Sequence, residues 1–291
     1  MNQLFFTNPK TGLNMSVWTA GDSSHPLLIF LHGFPEHGKI WEYQLEYFSK
    51  LGYFVVAPDQ RGYGETEKPY SISAYSLDLL AQDVLGVIEY FQKNDTDLVG
   101  HDWGAGVSYW AVLKYPEKFR SVTIINVPHL QTMKDQMKKN KVQRKKSRYM
   151  FFFQLPWIPE FMLRRAGFKL LERSLVKTSK KGSFTDEDIL SYKEAWSRPG
   201  AIRGMLNWYR AVARVRTEPI KNAYVKIPSL VIWGAKDPFM RRELAELSMK
   251  YHKNGRLVFF ENNTHWVHHE KPLEVSKEIE DFLAQNRKSS S

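Results

Sequence analysis

Cysteine is absent from the 291 residues of this chain. Disulfides and thiolate metal sites are therefore excluded, and the composition fits a reducing compartment, so a cytoplasmic location is expected. No leader is expected either, since Met1 to Ala20 has no basic stretch leading into an apolar run. No segment approaches the roughly 18 apolar residues of a spanning helix, so a soluble protein is expected. Neither a phosphate-binding loop nor a dinucleotide fingerprint occurs, and no cofactor or metal is required.

What is present in excess is positive charge, a formal +11. Most of it is local. Lys134, Lys138, Lys139, Lys141, Arg144, Lys145, Lys146 and Arg148 stand against Asp135 alone, so 134–148 carries seven of the eleven net charges. No aromatic residue interrupts the run to stack bases, and no nucleic-acid module accompanies it, so a nucleic-acid partner is not expected. The segment reads as a solvated face, and by itself it establishes no firm membrane contact.

Strand and helix signals alternate over the first 128 residues, beginning with a hairpin around Phe5 and Met15 to Trp18. This favours an α/β fold with a mostly parallel central sheet flanked by helices. From 129 to 221 strand signals stop, and basic and aromatic helical pieces are broken by Pro156, Pro159, Gly167, Gly182 and Pro199. Such a block reads as an inserted α-helical cap. Alternation resumes over 222–291, giving a core in two parts, 1–128 and 222–291, around a cap at 129–221. The final helix is expected over Pro272 to Gln285, with a frayed tail from Arg287 to Ser291.

Gly100-His101-Asp102-Trp103-Gly104-Ala105-Gly106 carries the most chemistry. An apolar strand, Asp97-Leu98-Val99, enters a turn flanked by glycines, and Val107 to Tyr115 reads as the helix that follows: the form of a nucleophile elbow. A carboxylate at its apex needs no base before it attacks. It suits sp3 carbons bearing a leaving group, such as a strained epoxide or a halide, rather than amides or ordinary esters. Asp237 follows the strand Ser229 to Trp233, and His265 follows Leu257 to Phe260. Nucleophile, acid and histidine then stand in the chain order expected of a triad, each beyond a strand's C-terminal end.

These residues bring out a resemblance. The chain is similar over nearly its whole length to the α/β-hydrolase-fold epoxide hydrolases. His32-Gly33-Phe34-Pro35-Glu36 resembles the family's oxyanion motif, Arg61-Gly62-Tyr63-Gly64 its following loop, and Gly100 to Gly104 its elbow. Trp233-Gly234 with Asp237, and His265-Trp266, match the places of the acid and base. Tyr149 to Gln154 and Asn207-Trp208-Tyr209-Arg210 look like the segments bearing the two ring-opening tyrosines.

The resemblance implies a hydrolase that converts a small hydrophobic epoxide to a vicinal diol through an ester on Asp102, cut by water that His265 activates and Asp237 supports. It implies Tyr209 and Tyr149 as proton donors and the backbone N–H groups of Phe34 and Trp103 as the oxyanion hole. Phe34, Trp103, Phe153 and Trp208 are expected to contact substrate, and Phe151, Phe152, Trp157, Phe161 and Met205 to line or close the same apolar pocket. The protein is expected as a monomer or homodimer. His268 and His269 lack ligand spacing and a third partner, and read as the start of a helix.

Two alternatives remain. A haloalkane dehalogenase shares the fold and the Asp-His-Asp set, although Phe34 offers no side-chain donor to a halide. A ligand-binding protein that has lost turnover would share the fold alone.

Overall fold

The computed structural model describes residues 1–288. Eight strands are β1 (Asn2–Thr7), β2 (Asn14–Ala20), β3 (Leu27–Leu31), β4 (Phe54–Pro58), β5 (Thr96–His101), β6 (Phe119–Ile125), β7 (Ser229–Gly234) and β8 (Gly255–Phe260). They form one sheet in the order β1-β2-β4-β3-β5-β6-β7-β8. The β1–β2 and β2–β4 pairs are antiparallel and the remaining pairs parallel.

Strand periodicity explains why both faces of the sheet are covered. In β3, Leu28 and Phe30 point to one face, where they pack with Leu45 and Phe48 of α1 (Glu42–Lys50). Ile29 and Leu31 point to the other, into the core shared with α2 (Leu77–Tyr90) and α3 (Trp103–Lys114). A strand buried on both faces must be apolar throughout, as β3 and β4 are.

Between β6 and β7 the described structure is helical: α4 (Leu130–Lys139), α5 (Lys141–Lys146), α6 (Arg148–Phe152), α7 (Ile158–Thr178, broken by non-helical backbone at Arg165 to Phe168), α8 (Asp186–Ser197) and α9 (Ala201–Arg214). Two tryptophans fasten these helices to the core. Trp196 of α8 donates to the Pro35 carbonyl at 2.6 Å, and Trp208 of α9 to the Arg61 carbonyl at 2.9 Å. The chain closes with α10 (Glu243–Met249), α11 (Val267–Glu270) and α12 (Pro272–Lys288). Arg287, expected in a frayed tail, lies within α12, and 289–291 fall outside the described residues. No described helix is long and apolar enough to cross a membrane.

Candidate active site

Asp102 occupies the one-residue corner between β5 and α3, with φ 48° and ψ −121°. Close packing makes that corner possible. A Cβ on Gly104 would lie 2.2 Å from the Leu31 carbonyl oxygen, and one on Gly33 would lie 2.3 Å from the Asp102 Cβ. The helix begins at Trp103, four residues before its apolar periodicity becomes legible, because Gly104 and Gly106 are poor helix formers that only tertiary packing holds in place.

Four more strand ends deliver the rest. His265 beyond β8 places Nδ1 2.7 Å from Asp237 Oδ2, and its Nε2 3.6 Å from Asp102 Oδ2. Asp237 beyond β7 is fully committed: its Oδ1 accepts the N–H groups of Phe239 and Met240, and its Oδ2 also accepts from Asn126 Nδ2 at 2.7 Å. Asn126, the residue after β6, accepts the Gly234 N–H in turn. Beyond β3, the Phe34 N–H donates to Asp102 Oδ1 at 2.9 Å. Trp103 opens α3, so its N–H has no acceptor within the helix.

Charge follows this geometry. Burial opposes the imidazolium of His265, but the carboxylates of Asp237 and Asp102 outweigh it and raise the pKa to about 10. Burial would raise Asp102 too, yet His265, His101 and the Phe34 N–H hold it below the ordinary carboxylate value. The site therefore rests as one imidazolium between two carboxylates, of which only Asp102 borders the cavity.

That cavity, of about 220 Å³, is lined by Asp102, His265, Tyr149, Tyr209, Phe34, Phe153 and Phe239 among others, with Leu163, Leu170, Leu171 and Ser174 supplied by α7. Tyr209 stands edge-on to Phe34 and Trp103, with ring centroids 5.4 and 4.9 Å away. Tyr149 lies 6.0 Å from it. Burial raises both phenols, and the nearby Asp102 charge adds to the shift, so each keeps its proton at neutral pH. The Asp102 carboxylate and two protonated phenols thus line one cavity whose other walls are mostly apolar.

Several expected lining residues lie elsewhere. Trp208 is buried against Tyr63 and the Arg61 carbonyl and does not border the cavity, because its neighbour Tyr209 takes the cavity side and adjacent helical residues diverge by about 100°. The Trp103 ring packs edge-on against Tyr209 and Trp208 and does not line the cavity. Met205 is core, and Phe151, Trp157 and Phe161 project outward into solvent.

A network behind the site carries no sequence signal of its own. Glu36 is the third partner of His268 and His269 that the sequence does not show: its Oε1 is 2.9 Å from His269 Nε2 and 3.4 Å from His268 Nε2. Its Oε2 accepts from Gly33 N–H and meets His101 Nδ1 at 3.0 Å, while His101 Nε2 reaches the His265 carbonyl at 3.0 Å. The three groups have the composition of a metal site. A metal on both Nε2 atoms would move a proton to His268 Nδ1, which has no partner, so hydrogen bonding is the better use of this cluster. Glu270 performs a similar service for the His265 loop, accepting from Thr264 N–H and Asn263 Nδ2, both at 2.9 Å.

The alpha/beta hydrolase fold family profile matches residues 26–272. The AB hydrolase superfamily protein YfhM of Bacillus subtilis is 39% identical over 94% of this chain and 95% of its own. Human epoxide hydrolase 4 is 38% identical over 94% of this chain and 76% of its own. Among solved structures, a point mutant of a Bacillus megaterium epoxide hydrolase, complexed with its product (R)-3-[1]naphthyloxy-propane-1,2-diol, superposes with a TM-score of 0.87 at 32% identity. The match covers 97% of this chain and the whole of that one.

Proposed function

The chain belongs to the α/β-hydrolase-fold epoxide hydrolases, and we propose that this hydrolase opens apolar epoxides through a covalent ester on Asp102. The observation that carries the proposal is that the Asp102 carboxylate, Tyr149 and Tyr209 line one cavity. Held at Oδ1 by the Phe34 N–H, Asp102 attacks an epoxide carbon with Oδ2. The ring C–O bond breaks as a tyrosine protonates the departing oxygen. A phenol suits this step, being protonated at rest yet far more acidic than an alcohol.

Esterification removes the Asp102 charge, one of the two that raise His265. The imidazolium then gives up its proton, which restores the tyrosine, and the neutral ring becomes a base. It takes a proton from water as the hydroxide adds to the ester carbonyl. The oxyanion forms on Oδ1 against the Phe34 and Trp103 N–H groups. Collapse passes the hydroxyl proton to the departing alkoxide, the diol leaves with the original Oδ2, and the protonated His265 and ionised Asp102 are regenerated. Asp237 keeps the ring oriented throughout.

In this account the helices within 129–221 are a lid over a core made by 1–128 and 222–291. The lining aromatics favour aryl or other hydrophobic epoxides, in keeping with the naphthyl diol of the Bacillus megaterium enzyme. A dehalogenase would need N–H donors converging on a halide, whereas the groups opposite Asp102 are phenols suited to an alkoxide. Incubation with an aryl glycidyl ether should yield the vicinal diol, and Asp102→Ala, folded as before, should yield none. Diol formation by that variant would overturn the proposal.

A further inference from the structure

The aromatic residues that miss the cavity collect on the outside of the same helices. Trp157 is 82% exposed, Phe161 67%, Phe151 60% and Ile158 53%, all within α6, the start of α7 and their connection. Trp157, Ile158 and Phe161 are spaced so that the first turn of α7 presents them together. A grouped apolar surface of this kind is uncommon on a protein that meets only water.

Positive charge flanks it along the chain. Seven of the eight basic residues in 134–148 are exposed, and among the described residues none of the eight is in an ion pair. Arg148 lies one turn before Phe151, and Arg164, Arg165 and Lys169 continue the exposed charge along α7. The acids in 134–172 cancel little of it: Asp135 offsets one charge, Glu160 is paired with Arg210 and Glu172 with Lys193. Exposed aromatics flanked in the chain by exposed cations outside ion pairs match the interface of an anionic bilayer, where rings enter the headgroup level and lysine and arginine meet phosphates. A second copy fits less well: twofold pairing through this face would bring two strongly basic runs together.

The same segment reaches the cavity. Leu163 lines it before the break at Arg165–Phe168, Leu171 and Ser174 line it after the break, and Leu170 lines it while remaining 41% exposed, so the cavity opens at Leu170 in the segment that follows the apolar patch.

We propose that the face formed by α5, α6 and the first half of α7 docks on anionic phospholipid bilayers, and that apolar epoxides pass from lipid into the cavity beside Leu170. The second clause rests on the hydrolase proposal above; the first does not. Docking is read by co-sedimentation with phosphatidylcholine vesicles, with and without phosphatidylserine, using the full chain.

Binding should need phosphatidylserine, weaken with added salt, and fall about tenfold or more in Trp157→Glu/Phe161→Glu and in Arg144→Glu/Lys145→Glu/Arg148→Glu. Both variants alter only side chains outside the cavity and should melt as wild type does. Equal binding to both vesicles, no binding to either, or full binding by the Trp157→Glu/Phe161→Glu variant would overturn the proposal. A dimer in sedimentation that this variant abolishes, without lipid binding, would assign the face to a second copy instead. Because binding is read without turnover, its failure leaves the hydrolysis proposal intact.

Discussion

His265 Nε2 and Asp102 Oδ2 face each other across 3.6 Å, close enough for strong attraction and slightly too long for a good hydrogen bond. The gap lies at the edge of the cavity, where substrate approaches the carboxylate and water later approaches its ester.

This pair makes stability depend on pH in a defined direction. The His265 pKa is raised from 6.5 to about 10, so its ion pairing stabilises the fold fully below about 6.5 and is lost as pH rises through about 10. The melting temperature of wild type should exceed that of His265→Gln most near pH 6, with the difference shrinking toward pH 10. In Asp102→Asn, the midpoint of His265 titration followed by NMR should fall. An unchanged midpoint would show that Asp102 does not hold the proton.

Tyr149 and Tyr209 share one task. Each single change to Phe should lower kcat about tenfold or more, since the second donor remains. The double change should cost about 10²–10⁴-fold, the range for a lost general acid. KM should move little, because Phe preserves the apolar wall. Near-normal kcat in the double variant would remove the tyrosines from the mechanism.

Asn126 never touches the cavity yet holds both Asp237 and the Gly234 N–H. Asn126→Ala should lower unfolding stability by about 1–3 kcal/mol, the cost of leaving buried polar groups unmade. Its φ of 54° adds strain for any residue with a Cβ, less for Asn than for Ala. Denaturant unfolding measures the loss, and an unchanged midpoint would show that Asp237 needs no such support.

The family and its sheet were legible because motif and order suffice for both: apolar strands alternate with amphipathic helices, and Asp102, Asp237 and His265 each follow a strand end. Trp208 was misplaced because one helical step separates it from Tyr209, and side-chain direction on a short insert cannot be read from neighbours. Phe151, Trp157 and Phe161 look like core in a sequence, since aromatic character records hydrophobicity and not which side of a helix finds company. Glu36 with His268 and His269 was invisible for another reason. Its partners are 232 and 233 residues away, joined only when the ends of β3 and β8 come to the same edge of the sheet. Asn126 carried a fainter signal, sitting one residue past β6 where the other site residues also lie relative to their strands.

The central claim is that Asp102 forms a bond to the substrate and water attacks the ester, not the epoxide. A single turnover with enzyme in excess, run in water enriched in heavy oxygen, tests it directly. The account predicts that the label enters the Asp102 carboxylate, detectable by mass on its peptide, and that the first diol released is unlabelled. Label in that first diol, with Asp102 unlabelled, would contradict it.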